Sequence, residues 1–330
     1  MLEDLSILVT GGTGFIGSHL VDALVEKNRV RVLDNFSSSS PEILSHLKGH
    51  PNFTIMEGDL MDPVTAYEAA SDQDMVFHLA ANPSVSAGAT DTRVHLEQNA
   101  LATFNVLEAM RRQDVNRIAF TSTSTVYGEA DVLPTPEDYG PLKPISLYGA
   151  SKLACEAMIS SYCHTFDMQS WIFRFANIVG ERGSHGVIVD FVQKLDADPA
   201  ELVILGDGRQ RKSYLEVKDC VQAMLYVVEN ARDEVNIFNI GSTDSVSVRE
   251  IADIVVAAMG LSDVKYRFAG GVDGRGWKGD VRSMSLDLQA ILALGWQPRH
   301  DSAGSIQIAA EAILKGRKRR RRRRSRPASA

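Results

Sequence analysis

Thr10-Gly11-Gly12-Thr13-Gly14-Phe15-Ile16-Gly17 joins an apolar run over residues 5–10 to an amphipathic segment over 14–27. Few local patterns restrict a chain more. Gly11 allows a tight turn out of a strand. Gly14 lets the backbone approach a pyrophosphate, and Gly17 lets the helix pack close to the sheet. The helix start then presents unpaired N–H groups and the positive end of its dipole. A stray glycine triplet means little. One set after a strand and before a helix points to a dinucleotide at the first turn of a parallel α/β sheet.

The first half of the chain repeats this alternation. Residues 29–34 (RVRVLD) read as a second strand, and 53–56, 75–79 and 118–121 as further apolar runs. Helical segments lie between them near 63–71 and 91–112. Near-continuous apolar strands separated by helices predict a parallel sheet covered on both faces, with right-handed connections. A helix over 146–166 and a sixth strand over 169–175 follow. Beyond them the pattern is less regular and richer in glycine. Residues 177–186 and 206–212 read as loops, and 218–230 and 303–314 as helices. Ser247-Val248-Arg249-Glu250 matches a capping box opening a helix over 248–259. The expected fold is α/β, a Rossmann-type doubly wound parallel sheet with a smaller C-terminal substrate-binding lobe. The sheet domain takes residues 1–176, with 213–242 returning to it. The lobe takes 177–212 and 243–314 and closes over the sheet's carboxyl edge.

Charge divides the chain unequally. Residues 315–330 hold ten Lys or Arg and no acid, which leaves 25 basic against 42 acidic residues, a net of −17, over 1–314. An acidic body argues against nucleic-acid binding by the folded part. The tail, with six consecutive arginines from Arg319 to Arg324, is expected to be disordered, because like charges repel and nothing apolar is present. It is the one place where nucleic acid is a conceivable partner. No stretch has the length of a signal peptide or a membrane span. Cys155, Cys163 and Cys220 form no CxxC or metal-ligand spacing. Three thiols suit a reducing cytoplasm, and no metal is expected.

Two further features carry chemistry. Asp34 ends the second strand 17 residues after Gly17. There a carboxylate can accept hydrogen bonds from adenosine ribose hydroxyls and repel a 2′-phosphate. No Lys or Arg follows in 35–40, which favours NAD over NADP. Asp59-Leu60, after the third strand, falls near the adenine. Tyr148 and Lys152 are four residues apart, hence one turn apart on one helix face. Most such pairs are surface neighbours. In a dinucleotide-binding chain the ammonium is expected to lower the phenol's pKa toward neutral, so that the phenolate takes a proton from a substrate hydroxyl.

With these residues in hand, the chain resembles the extended short-chain dehydrogenase/reductases, and among them the nucleotide-sugar epimerases of the UDP-glucose 4-epimerase kind. TGGTGFIG at 10–17, DN at 34–35, GDL at 58–60, HLAA at 78–81 and Asn99 carry the likeness. STSTVYG at 122–128, YGASK at 148–152, RFANIVG at 174–180 and LGDGRQRKSY at 205–214 complete it. The resemblance implies an NAD site lined by Phe15, Ile16, Asp34, Asn35, Ser37, Asp59, Leu60, Leu79, Ala80, Ala81 and Asn99. It implies a catalytic set of Thr123, Tyr148 and Lys152, and sugar-nucleotide contacts from Asn177 and Val187. Lys212 stands where many relatives place an Arg against the diphosphate, and Arg211 beside it is expected to take over. Trp277-Lys278-Gly279-Asp280 lacks the Arg that many relatives carry just before Gly-Asp, and Arg275 is the expected replacement. A homodimer through a four-helix bundle is also implied, with Val106, Leu107, Met110, Met158 and Ile159 on the pairing faces.

The expected reaction inverts C4 of a UDP-hexose through a transient 4-keto sugar. Sugar dehydratases of this kind place Asp-Glu right after the catalytic Thr; here Ser124-Thr125 stand there, and neither is a strong general acid. Alternatives are a UDP-glucuronate or UDP-N-acetylhexosamine 4-epimerase, or a reductase of another ketone. A non-catalytic NAD-binding sensor with a nucleic-acid-binding tail is the alternative from outside enzymology.

Overall fold

The computed structural model describes residues 2–270, 281 and 283–324. The chain forms two compact units. The first takes the residues up to Phe175, with Val221–Ile240 and Leu286–Gln297. The second takes Ala176–Cys220, Gly241–Ser285 and the described residues from Pro298 onward.

The first unit is built on seven parallel strands: β1 (Ser6–Thr10), β2 (Arg29–Asp34), β3 (Phe53–Glu57), β4 (Met75–His78), β5 (Arg117–Thr123), β6 (Gln169–Phe175) and β7 (Val235–Ile240). Their order is β7-β6-β5-β4-β1-β2-β3. The order reverses between β1 and β4, so the chain leaves these two neighbours toward opposite faces. That opens a crevice at their carboxyl ends. The central strands are buried along nearly their whole length, β4 at every position, as their unbroken apolar sequences require.

Helices α1 (Phe15–Leu24), α2 (Pro63–Ala70), α3 (Ala102–Arg112) and α4 (Leu147–Phe166) flank the sheet. Local chemistry sets their starts. The Asp62 carboxylate accepts from the N–H groups of Val64 and Thr65, with Pro63 in the first turn of α2. Ser146 accepts from Gly149 at the start of α4, and α4 ends where Asp167 turns left-handed. On one face of the sheet Val106, Leu107 and Met110 of α3 and Cys155, Ile159 and Cys163 of α4 meet Val76, Ile118, Phe120 and Ile172. Four of the five residues expected to pair subunits, Val106, Leu107, Met110 and Ile159, are thus fully consumed by this unit's own core, and Met158 packs against it. The expected pairing faces are corrected accordingly.

The helix expected over 91–112 is not continuous. A π-helical turn, Leu96–Leu101, precedes α3. There the Asn99 carbonyl accepts from the Thr103 hydroxyl at 2.7 Å and the Cys155 thiol at 3.5 Å. Side chains that claim a helical carbonyl loosen the ladder around it.

In the second unit, helices Val187–Ala197, Val248–Ala258 and Ser302–Arg324 bury Phe191, Leu195, Ile251, Val255, Ile306 and Ala310 together. The capping box at Ser247 and Glu250 is fully formed. The segments read as loops at 177–186 and 206–212 carry short strands, Asn177–Val179 and Arg211–Lys212. The last helix runs ten residues past the expected end at 314, so residues 315–324 are helical and not disordered. Lys and Arg are strong helix formers, and extending an existing helix avoids the cost of nucleation. Residues 325–330 lie outside the described residues.

Candidate active site

The glycine turn has the geometry its sequence demands. Gly11 has φ +69, and a Cβ there would lie 2.7 Å from the Ala80 nitrogen. A Cβ on Gly17 would come within 2.3 Å of the Gly11 carbonyl oxygen, and one on Gly14 within 3.1 Å. These contacts press the turn against the end of β4 and against α1. No side chain caps the start of α1, so its first N–H groups and dipole face outward for an anion. A cradle with no room for side chains at an uncapped helix start fits a pyrophosphate.

Asp34 stands at the end of β2. Its carboxylate accepts from the N–H of Thr13 at 3.1 Å and of Phe36 at 3.0 Å. It is thereby tied to the glycine turn, and a carboxylate keeps lone pairs for further donors. Asn35 donates to Asp59 at 3.0 Å and accepts from the Ser37 N–H at 3.0 Å. This cluster gathers the expected ribose and adenine residues at one corner of the sheet. Leu60 is mostly absorbed into the core, where its carbonyl accepts from Asn105 at 2.7 Å.

The chain leaving β4 crosses beside the glycine turn. The Leu79 N–H donates to the Thr10 carbonyl at 3.1 Å and the Ala80 N–H to its hydroxyl at 3.4 Å. Ala81 follows them. His78 is fully buried between Thr10 at 2.7 Å and Thr103 at 3.0 Å, and burial pulls its pKa down to about 3. It is a neutral core histidine, with both ring nitrogens partnered. Asn99 is 1% exposed. Its amide accepts from the Asn82 N–H at 2.8 Å and donates to Ser151 at 3.0 Å. In this structure Asn99 braces the 82 loop against α4.

Thr123 ends β5. Its hydroxyl accepts from the Thr125 N–H at 3.2 Å and lies 3.1 Å from the Thr125 hydroxyl. Tyr148, in the first turn of α4, lies near enough to Thr123 for that hydroxyl to favour its phenolate. The His95 ring meets the Tyr148 ring edge-on at 5.6 Å. Lys152 is 2% exposed. Its ammonium donates to the Thr121 carbonyl at 2.9 Å and lies 4.6 Å from the centre of the Phe120 ring. Thr123, Tyr148 and Lys152 therefore meet at the carboxyl end of β5.

Burial works against the lowering expected of Lys152 on the phenol. Burial, reinforced by Cys155, pushes Tyr148 up to about 12, and the Thr123 hydroxyl only partly opposes this. Burial also pulls the Lys152 ammonium down to about 8, against Cys155 and Glu156. Desolvation penalises each charged form, and the ammonium is held by a carbonyl and a ring.

The residues around the site that sequence reading missed are polar partners in the core. Glu156, one turn beyond Lys152, accepts from Ser122 and pairs with Arg174 at 2.8 Å. Its spacing from Lys152 was a visible signal; its partners on other strands were not.

The family profile of the NAD-dependent epimerases and dehydratases matches residues 7–241. The chain belongs to the NAD-dependent epimerase/dehydratase family. It is an enzyme, and NAD is its cofactor. A UDP-glucose 4-epimerase of Mycolicibacterium smegmatis is 33% identical over 300 residues, spanning 88% of this chain and 93% of that protein. A crystal structure of a UDP-galactose 4-epimerase superposes with a TM-score of 0.83 at 42% identity, covering 94% of this chain and 99% of that one. UDP-glucuronic acid 4-epimerase from Bacillus cereus, solved with UDP-glucuronic acid and NAD, superposes with a TM-score of 0.85 at 25% identity, covering 94% and 99%. The seven-stranded parallel sheet of this epimerase/dehydratase chain is thus the family's fold.

The expected sugar-nucleotide residues lie in the second unit. Asn177 donates its N–H and its side-chain amide to the Ser213 carbonyl, each at 3.2 Å. Val187 opens a helix whose start no side chain caps. Arg211, the expected replacement for the family's Arg, is engaged within its own unit. Its guanidinium bonds Glu250 at 3.0 Å and the Ser245 carbonyl at 2.6 Å. Lys212 is the next residue on the same short strand. Arg275 and Asp280 lie outside the described residues. Among the described residues, no group of three or more His, Cys, Asp or Glu is placed to hold a metal ion, and no helix is long and apolar enough to cross a membrane.

Proposed function

We propose that the chain interconverts UDP-glucose and UDP-galactose by inverting C4 through a 4-keto sugar. The observation that carries this reading is the meeting of Thr123, Tyr148 and Lys152 at the carboxyl end of β5. In this sheet order that end lies beside β4 and one strand from the glycine turn. NAD, held by the glycine turn and Asp34, supplies hydride acceptance at C4 and its return. Thr123 hydrogen-bonds the C4 oxygen and fixes it in line. Tyr148 takes the proton of the C4 hydroxyl and, once the keto sugar has turned its other face toward the nicotinamide position, returns it to the C4 oxygen. Lys152, one turn along α4, supplies a positive charge that favours the phenolate against the desolvation that raises Tyr148.

The relatives named for UDP-glucose and UDP-galactose support this sugar, and Ser124-Thr125 after Thr123 weigh against elimination. The UDP-glucuronate relative keeps the uronic acid as the second reading. UDP-N-acetylhexosamine stands beside it, because another neighbour is a UDP-N-acetylglucosamine 4-epimerase. Membership of the family sets aside the non-catalytic sensor. Three buried, unpaired thiols support a reducing, cytoplasmic setting. The test is to incubate purified protein with UDP-galactose, UDP-glucuronate, UDP-N-acetylglucosamine and dTDP-glucose and follow C4 inversion by NMR. Fastest inversion of UDP-galactose is expected. Inversion confined to the uronate or the N-acetyl sugar would replace the substrate, and elimination of water would replace the reaction.

A further inference from the structure

A chain of buried polar groups runs behind the Tyr148–Lys152–Thr123 set, wholly within the first unit. Ser122, next to Thr123 at the end of β5, donates to the Glu156 carboxylate. Glu156 lies on α4 one turn past Lys152 and two turns past Tyr148, so the three share a helix face. Arg174 on β6 stands opposite Ser122 in the sheet register. Its Nε lies 3.2 Å from both Glu156 oxygens, and Nη2 donates at 2.8 Å. Nη1 donates to the Tyr127 hydroxyl at 3.0 Å and the Glu137 carbonyl at 2.9 Å. Tyr127 passes the chain to Asn239 at 2.7 Å. Arg174 and Glu156 are 4% and 5% exposed.

A buried ion pair is a poor way to stabilise a fold, because desolvation offsets the attraction. This pair also sits one residue from Thr123 and one turn from Lys152, which points to a role in the site. We infer that Glu156 is a positioning residue: anchored by Arg174, it fixes the Ser122–Thr123 end of β5 and supplies the counter-charge that keeps the Lys152 ammonium at the site. The inference rests on the roles given above to Tyr148, Lys152 and Thr123. Of the other groups packed around the set, His78 and His95 have their pKa values lowered by burial and Tyr127 has its raised, so these three are neutral at pH 7; Cys155, itself raised by burial, acts on Lys152 in the same direction as Glu156. Burial likewise raises Glu137, whose carboxyl accepts from the Asn239 N–H at 2.8 Å.

Opposite substitutions give opposite signs. Glu156→Gln removes the negative charge, leaving Arg174 to favour a phenolate and disfavour the Lys152 ammonium. Arg174→Met leaves the carboxylate unopposed and does the reverse. The readout is the ultraviolet phenolate absorbance of the folded protein against pH, taken as the difference from Tyr148→Phe, beside kcat and KM for UDP-galactose. Glu156→Gln is expected to move the phenolate titration and both limbs of the kcat profile toward acid by roughly one pH unit. Its kcat should fall ~10-fold or more, with KM little changed. Arg174→Met is expected to shift both toward alkali. If either variant fails to fold, Ser122→Ala, which keeps both charges, should lower kcat without moving the titration.

Unshifted titrations in folded Glu156→Gln and Arg174→Met, with kcat lowered only in step with the folded fraction, overturn the inference. So does full activity in Ser122→Ala when the other two do not fold. Near-normal turnover by Tyr148→Phe overturns instead the reading of the site beneath it.

Discussion

Single residues at this site are governed by burial more than by their charged neighbours. His78 shows it most simply. Its pKa is about 3 in the fold, against an ordinary value near 6.5. Between these values the unfolded chain binds a proton that the folded one refuses. Stability is therefore full above pH 6.5 and falls as pH drops through this window, by roughly 1.4 kcal/mol per unit at most. His95, also lowered by burial, adds to the same slope. From pH 6.5 to 5 the ordinary carboxylates are still ionised, so urea melts there report mainly histidines. A His78→Gln variant should give a flatter slope than wild type in that window; an equal slope would mean that His78 accepts the proton while folded. At Asp34 the argument is geometric. The Thr13 and Phe36 N–H groups fix its carboxylate at the end of β2, where a carboxylate would accept from a ribose and repel a 2′-phosphate. Asp34→Ala should lower the preference for NAD over NADP ~10-fold or more in calorimetric titrations, and an unchanged ratio would detach Asp34 from the ribose.

At the scale of elements, what could be read in advance was what neighbours in sequence decide. The glycine turn needs only Gly11, Gly14 and Gly17 and the strand and helix they join. The capping box needs only Ser247 and Glu250, and it formed. The Tyr148–Lys152 face needs only the helical period. Illegible features depend on distant partners. The π-helical turn at Leu96–Leu101 exists where Thr103 and Cys155 share one carbonyl, and Cys155 is 56 residues from that carbonyl. Around the Tyr148 phenol the lysine was visible in the sequence, whereas the desolvation that opposes it is a tertiary quantity. The Arg211–Glu250 contact was likewise illegible, because its partners are 39 residues apart. The turn itself yields a sharp expectation. A Cβ on Gly17 would lie 2.3 Å from the Gly11 oxygen and 2.9 Å from the Gly12 Cα, both backbone atoms. Gly17→Ala must push α1 off the turn, at roughly 1–3 kcal/mol, and weaken NAD ~10-fold or more. Unchanged NAD binding by intrinsic fluorescence would show that the turn does not set the cofactor's distance.

For the whole molecule, the surfaces of α3 and α4 bear on assembly. The inner faces of α3 and α4 are used up by the core, but their outer faces carry apolar surface. Leu101 and Phe104, at the start of α3, are each 41% exposed. Along α4, Leu147, Ala150, Ala154, Ala157 and Ser161 are all exposed. They recur every three or four residues, and the small ones allow a second helix to approach closely. Two adjacent helices with such faces suit the same two helices of a second copy around a two-fold axis, which is a four-helix bundle. A stable dimer needs roughly 800 Å² from each partner. Two helices can offer that only if their middles stay free of charge, and from Leu147 to Ser161 the exposed positions named hold no charged residue. Glu108, Arg111 and Arg112 pair among themselves at the far end of α3, where they would form a polar rim. Light scattering at micromolar concentration should therefore give twice the chain mass. Phe104→Glu together with Ala154→Arg should give the monomer with unchanged circular dichroism, since neither side chain belongs to the core. A wild-type protein that scatters as a monomer, or a double variant that remains a dimer, would remove this face from the interface.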